Sequence, residues 1–76
     1  MKRIIIDPAI CFGKPILEGT RIPVYMVLDL LEEGCSFEEI IKDYYPDLTV
    51  DDIKTCIHYA NQVVKNEEIH LTTTAK

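Results

Sequence analysis

The hydrophobic positions divide the chain into a front third of short extended runs and a remainder of helical stripes. Arg3-Ile4-Ile5-Ile6-Asp7 is a β-branched run closed by Asp7-Pro8 and predicts a strand. Pro15-Ile16-Leu17 and Thr20-Arg21-Ile22 flank Glu18-Gly19, where the glycine supplies the positive φ of a tight hairpin loop. Cys11-Phe12-Gly13-Lys14 reads as a loop. Three strands this short make a marginal sheet. It needs helices to pack on, or the edge of another chain to pair with.

From Pro23 onward the rhythm is helical. Pro23 is expected at the first helical position, and Val24, Val27, Leu28 and Leu31 follow on one face, widened by Met26 and Leu30. Gly34 stands where a left-handed residue closes a helix. Ser36-Phe37-Glu38-Glu39 is a capping box opening a second helix over about 36–45, with Phe37, Ile40, Ile41 and Tyr44 on its inner face. Tyr45-Pro46-Asp47 stops it. Thr49-Val50-Asp51-Asp52 caps a third helix over 50–65, with Leu48 and Ile53 as a hydrophobic staple. Ile53, Cys56, Ile57, Ala60, Val63 and Val64 form the stripe expected to be buried, and Asn66 is the stop. Residues 67–76 alternate weakly through Ile69 and Leu71. They read as a flexible tail, or as a strand ordered by a partner.

A length of 76 residues confines this to a single domain: a β element at 3–23, a tri-helical unit at 24–66 and the tail at 67–76. The expected fold class is mainly α, with a small N-terminal β-hairpin element. A hydrophobic content of 47% excludes a disordered acidic tail. The apolar runs are far shorter than the ~18–20 residues of a membrane span, so no membrane association is expected. The opening Met-Lys-Arg, followed by three apolar residues, does not have the pattern of a secretory signal, and none is expected. Cys11, Cys35 and Cys56 are widely spaced and odd in number, which fits free thiols in the cytoplasm. Cys56 and His58 point about 200° apart on a helix, so no metal site is expected.

Charge sharpens the picture. The net charge is −5, but residues 22–53 hold nine acids against Lys42 alone. The two flanks are weakly basic. Such a block is either a solvated face or a surface for a basic partner. Enzyme chemistry is not expected. His58 and His70 lack a neighbouring nucleophile or ligand cluster, and Glu38, Glu39, Asp51 and Asp52 sit in first turns, where they favour the helix dipole. Gly13 and Gly19 belong to a hairpin and not to a phosphate loop, so no cofactor is expected. Tyr44, Tyr45 and Tyr59 read as core packing.

Helices two and three, joined by Pro46-Asp47-Leu48-Thr49, have helix-turn-helix spacing. On the third, Thr55, His58, Asn61 and Gln62 are candidates for base edges, and Lys54 and Lys65 for phosphate. Asp51 and Asp52 at its start oppose phosphate. Specific DNA binding would need a dimer, with added contacts from Lys2, Arg3 or Arg21. The same unit serves equally as a protein-interaction module. The short strands also lead us to expect a homodimer.

Asp7-Pro8, Gly13-Lys14-Pro15 and Gly19-Thr20-Arg21-Ile22-Pro23-Val24 together resemble the signature of the domain-of-unknown-function family DUF433. Glu33-Gly34, Ser36, Glu38-Glu39-Ile40, Tyr45-Pro46, Leu48-Thr49, Asp52-Ile53 and Tyr59-Ala60 extend the resemblance over about residues 3–65. Phe12 stands where the family often has glycine, and Glu18 where it often has a basic residue. The resemblance implies a homeodomain-like helix-turn-helix fold behind a small β element. It also implies an antitoxin role in a toxin-antitoxin system, with a PIN-like nuclease toxin as partner and operator DNA as a further one. A stand-alone DNA-binding transcriptional regulator is the alternative. Gly13, Lys14, Pro15, Gly19, Thr20, Arg21 and Pro23 transfer as fold positions. Arg21, with five donors, is expected to tie the hairpin to the acidic helices or to a partner carboxylate.

Overall fold

The computed structural model describes residues 2–66. The 67–76 tail, including His70, lies outside the described residues. Strand β1 (Ile4–Ile5) pairs antiparallel with β2 (Ile16–Leu17), Ile4 opposite Leu17 and Ile5 opposite Ile16. Three helices follow: α1 (Val24–Glu32), the short α2 (Phe37–Glu39), which runs on into a π-turn at Ile40–Tyr44, and α3 (Val50–Asn66).

The expected third strand does not form. Thr20–Ile22 is the return arm of a turn, joined to β2 by a single bridge between Ile16 and Pro23. The Thr20 hydroxyl donates to the Leu17 carbonyl (2.7 Å) and accepts from the Ile22 amide (3.0 Å), so this segment spends its polar groups locally. Pro23 has no N–H with which to lengthen the ladder. Pro23 also precedes α1 and does not open it; its backbone is extended (φ −69°, ψ 142°).

Helix ends follow the sequence closely. At the end of α1 the Gly34 amide donates to Leu31 and the Cys35 amide to Leu30, both at 3.0 Å, with Gly34 at φ +98°. This is a Schellman closure, which requires a left-handed residue at Gly34. The Ser36/Glu39 capping box is complete in both directions. Beyond it the helix widens, and the Tyr45 amide reaches back five residues to Ile40 (2.8 Å). That wide turn shifts the inner face by about one position. Tyr45 therefore packs on the core, and Tyr44, expected inside, is 51% exposed.

The core is small: Leu17, Val24, Val27, Ile40, Leu48, Ile53 and Cys56, with Ile16 buried beside them. Both staple residues, Leu48 and Ile53, belong to it. Asp52, in the first turn of α3 as expected, is also buried, at 1% exposure. Its Oδ2 accepts from the Thr49 amide and the Lys2 Nζ (both 3.0 Å), and its Oδ1 from the Lys2 amide (3.4 Å). The Asp52 amide in turn donates to Thr49 Oγ1 (3.2 Å), completing a second capping box. Burial by itself would raise the Asp52 carboxyl. The Thr49 amide and the Lys2 ammonium and amide outweigh it and hold the group below its ordinary value.

Two outcomes follow. Gly34→Ala should lower stability by about 1–2 kcal/mol, since alanine resists the left-handed conformation; a urea midpoint shift at unchanged slope reads it. Asp52→Asn should cost about 1–2 kcal/mol at neutral pH through the weakened cap and lost ion pair. Because the folded pKa is depressed, wild-type Asp52 contributes fully above its ordinary value of 3.8 and loses that contribution as pH falls through the lower folded value. The gap between wild type and Asp52→Asn should therefore close in acid. A gap that persists unchanged there would contradict the assignment.

Candidate interaction surface

The α3 stripe is only half covered. Ile53 and Cys56 are in the core, whereas Ile57, Val63 and Val64 are exposed, Val64 at 61%. The reason is length. Seventeen residues make α3 about 25 Å long, and the nine of α1 only about 13 Å, so the last turns of α3 outrun their neighbour. The result is an open apolar groove of about 570 Å³. Tyr59, Ala60, Val63 and Val64 form one wall, and Val24, Tyr25, Leu28 and Pro15 the other. Lys14 stands at its rim with Nζ 5.8 Å from the centre of the Tyr25 ring. Helical spacing marks these positions as sharing one face; it carries no information on whether that face is covered.

The signature residues cluster at the same end. Gly13 (φ +78°) and Gly19 (φ +81°) turn the chain on either side of β2, and the Val24 amide donates to the Pro15 carbonyl (2.9 Å), locking Lys14-Pro15 against the start of α1. Cys11 and Phe12 also take positive φ (+52° and +58°), and Phe12 is 98% exposed. Arg21 is exposed and makes no ion pair among the described residues, so the expected tie to the acidic helices is not formed. Among the described residues only its carbonyl is engaged, by Cys11 Sγ at 3.6 Å.

The proposed base-reading face lies on the opposite side of α3. Lys54, His58, Asn61 and Lys65 are exposed, and Thr55 and Gln62 half-buried. The Thr55 hydroxyl donates to the Asp51 carbonyl (2.9 Å) and so turns onto its own helix. Asp51, Lys54, Thr55 and His58 line a shallow hollow. Two of the three extra cations expected to help are already engaged. Lys2 holds Asp52, and the Arg3 guanidinium grips both oxygens of Glu18 (3.1 and 3.0 Å). That contact raises the Arg3 pKa and lowers that of Glu18, each through the shared hydrogen bond and charge.

At the C-terminal end of α1 the surface is acidic. Glu33, Glu39 and Asp43 approach Cys35 from α1's end, α2 and the π-turn, and after burial they are the further causes that raise its thiol pKa. Cys56 is pushed up to about 11, by burial and then by Asp52. The described residues contain no group of three or more His, Cys, Asp or Glu able to hold a metal ion, and no helix among them is long and apolar enough to cross a membrane.

Residues 4–60 match the family model described as "Protein of unknown function (DUF433)". The chain belongs to the DUF433 family. A crystal structure of a DUF433 member protein from Anabaena variabilis ATCC 29413 has the same fold, with a TM-score of 0.73 and 32% sequence identity over 82% of this chain. This chain spans 60% of that protein's length. No curated protein matches. The DUF433 match ends within α3, before Val63 and Val64 on the far wall of the groove.

Thiol chemistry reads the acidic end directly. Cys56 should be the slowest of the three cysteines to alkylate in the native protein. Replacing Glu33 and Asp43 together by Gln and Asn should speed alkylation of Cys35, because two like charges opposing its thiolate are removed. An unchanged Cys35 rate, followed by mass spectrometry at low salt, would show that these carboxylates do not act on it.

Proposed function

We propose that this DUF433 protein works by binding another protein, as an antitoxin that neutralises a basic PIN-like nuclease. The observation that carries this reading is the state of the charges. The cations of β1's approach are used internally on Asp52 and Glu18. The exposed acids Glu32, Glu33, Glu38, Glu39 and Asp43 make no ion pair among the described residues. A negative surface left unbalanced in this way steers and orients a basic partner. The antitoxin role itself comes from the DUF433 resemblance.

DNA contact is a second reading, favoured by one detail: Lys2 neutralises Asp52, leaving Asp51 as the exposed acid at the start of α3. Lys54 and Lys65 would then hold phosphate.

Co-expression with the product of the neighbouring open reading frame tests the first reading. The two should co-purify, lose affinity as salt rises, and separate when Glu33 and Asp43 are both changed to Lys. A neighbour without nuclease character, or a complex indifferent to both salt and charge reversal, sinks it. For the second reading, Lys54→Ala and Lys65→Ala should each lower the salt slope of duplex binding by about one. A wild-type protein that fails to shift operator DNA at low salt removes it.

A further inference from the structure

We propose that the α1/α3 groove is the interface of a symmetric homodimer, in which the Phe12 ring of each copy seats in the groove of the other. The proposal uses a surface distinct from the acidic end and moves the dimer expected from the short strands onto the helices.

Phe12 and the groove are complementary features of one chain, and Phe12 is two residues from Lys14 on the groove's rim. The ring is 98% exposed. It is held there by an ordered turn in which the Gly13 amide donates to the Ile10 carbonyl and the Lys14 amide to the Cys11 carbonyl, both at 3.1 Å. Cys11 and Phe12 sit in the left-handed region without being glycine, a conformation that persists only where the surroundings over-determine it. Two residues later the chain reaches Lys14 and Pro15, which line the groove. A projecting ring two residues from the rim of an apolar hollow offers both halves of a two-fold contact, in which each copy supplies a ring and a groove. One rotation then covers both rings and both grooves.

Charge favours a second copy as the occupant, and the ring with the exposed groove residues supplies part of the area. A stable interface takes roughly 800 Å² from each partner. An aromatic side chain supplies ~150–250 Å² of that, and Tyr25, Val63 and Val64 add exposed apolar surface around it. At about 570 Å³ the groove has room for a ring. Each copy carries −5, so self-association is opposed wherever acids meet acids. The groove avoids this. It lies at the N-terminal end of α1, its one ionisable side chain other than the tyrosines is Lys14, and Glu33, Glu39 and Asp43 gather at the other end of that helix. A dimer joined here holds its two acidic ends outward, each free for a partner.

Sedimentation equilibrium of the full chain, without nuclease or DNA, is the test. We expect a dimer at micromolar concentration. Phe12→Ala and Val64→Asp, both outside the core, should each keep the helical circular dichroism and weaken the dimer by roughly tenfold or more. In a mixture of labelled and unlabelled copies, isotope-filtered NOEs should join the Phe12 ring of one copy to the Val63 and Val64 methyls of the other. Glu33→Lys with Asp43→Lys should leave the dimer intact, so a failed nuclease complex and a failed dimer are separate results. A monomer at every concentration, or a dimer indifferent to both Phe12→Ala and Val64→Asp, overturns the proposal. So do NOEs that place Ile69 or Leu71 of the same copy in the groove.

Discussion

The contact on which the rest of the structure depends joins residue 2 to residue 52. A carboxylate buried as deeply as Asp52 is tolerated only when its lone pairs are filled. Here the Thr49 amide fills them from the helix side, and the Lys2 amide and ammonium from the strand side. The same aspartate is thus a helix cap and the anchor of the N-terminus. Two residues after Lys2, β1 begins. Pairing of β1 with β2 then sets where Pro15 and Lys14 lie against α1, and so places the near wall of the groove. One ion pair between residues 50 apart in sequence organises the sheet, the start of α3 and the groove rim together.

The division of the surface follows from the smallness of the core. With seven residues in the central cluster, the fold has enough apolar partners to cover the first half of α3 and too few for the second. A chain of this size buries only roughly 60–65% of its unfolded surface. Part of what stays open is grouped: Tyr25, Val63 and Val64 lie together where α3 runs past α1. The acids collect where α1 turns through Gly34 into α2. Two surfaces of opposite chemistry at the two ends of one short helix suit a protein that meets other chains, and neither suits a polyanion.

Much of the local grammar of the sequence was legible, the place of Pro23 ahead of α1 being an exception. Both capping boxes, the glycine closure of α1, the Leu48–Ile53 staple and the helix order are written in residues within a turn of one another, so their physics is local. What the sequence concealed was non-local or cooperative. Ile4–Ile5 and Ile16–Leu17 were legible as strands, but their pairing was not: β1 pairs with β2, and Thr20–Ile22 had the composition of a strand but not the partner. The π-turn at Ile40–Tyr44 adds one residue to a helical turn and exchanges Tyr44 for Tyr45 on the core, a shift that no regular period anticipates. Asp52 looked like any first-turn acid because its cation lies at the other end of the chain. The candidate site suffered most. Periodicity grouped Ala60, Val63 and Val64 correctly as one face, but a face is buried only if something of matching length lies across it.

The turn at Cys11–Gly13 is where local and global requirements disagree, and the disagreement is informative. Left-handed backbone costs about 1–2 kcal/mol at each non-glycine residue. A domain of this length holds only about 4–11 kcal/mol in total, at ~0.05–0.15 kcal/mol per residue. Glycine at either position would relieve the cost; Cys11 has the Arg21 carbonyl as a partner for its thiol, whereas the Phe12 ring touches almost nothing among the described residues. The Phe12 ring stands apart from the core of its own copy, and the proposed dimer gives it contacts in a second one. The apolar groove two residues further along the chain is the surface able to supply them, and filling it covers the part of α3 that the monomer's own helices are too short to reach.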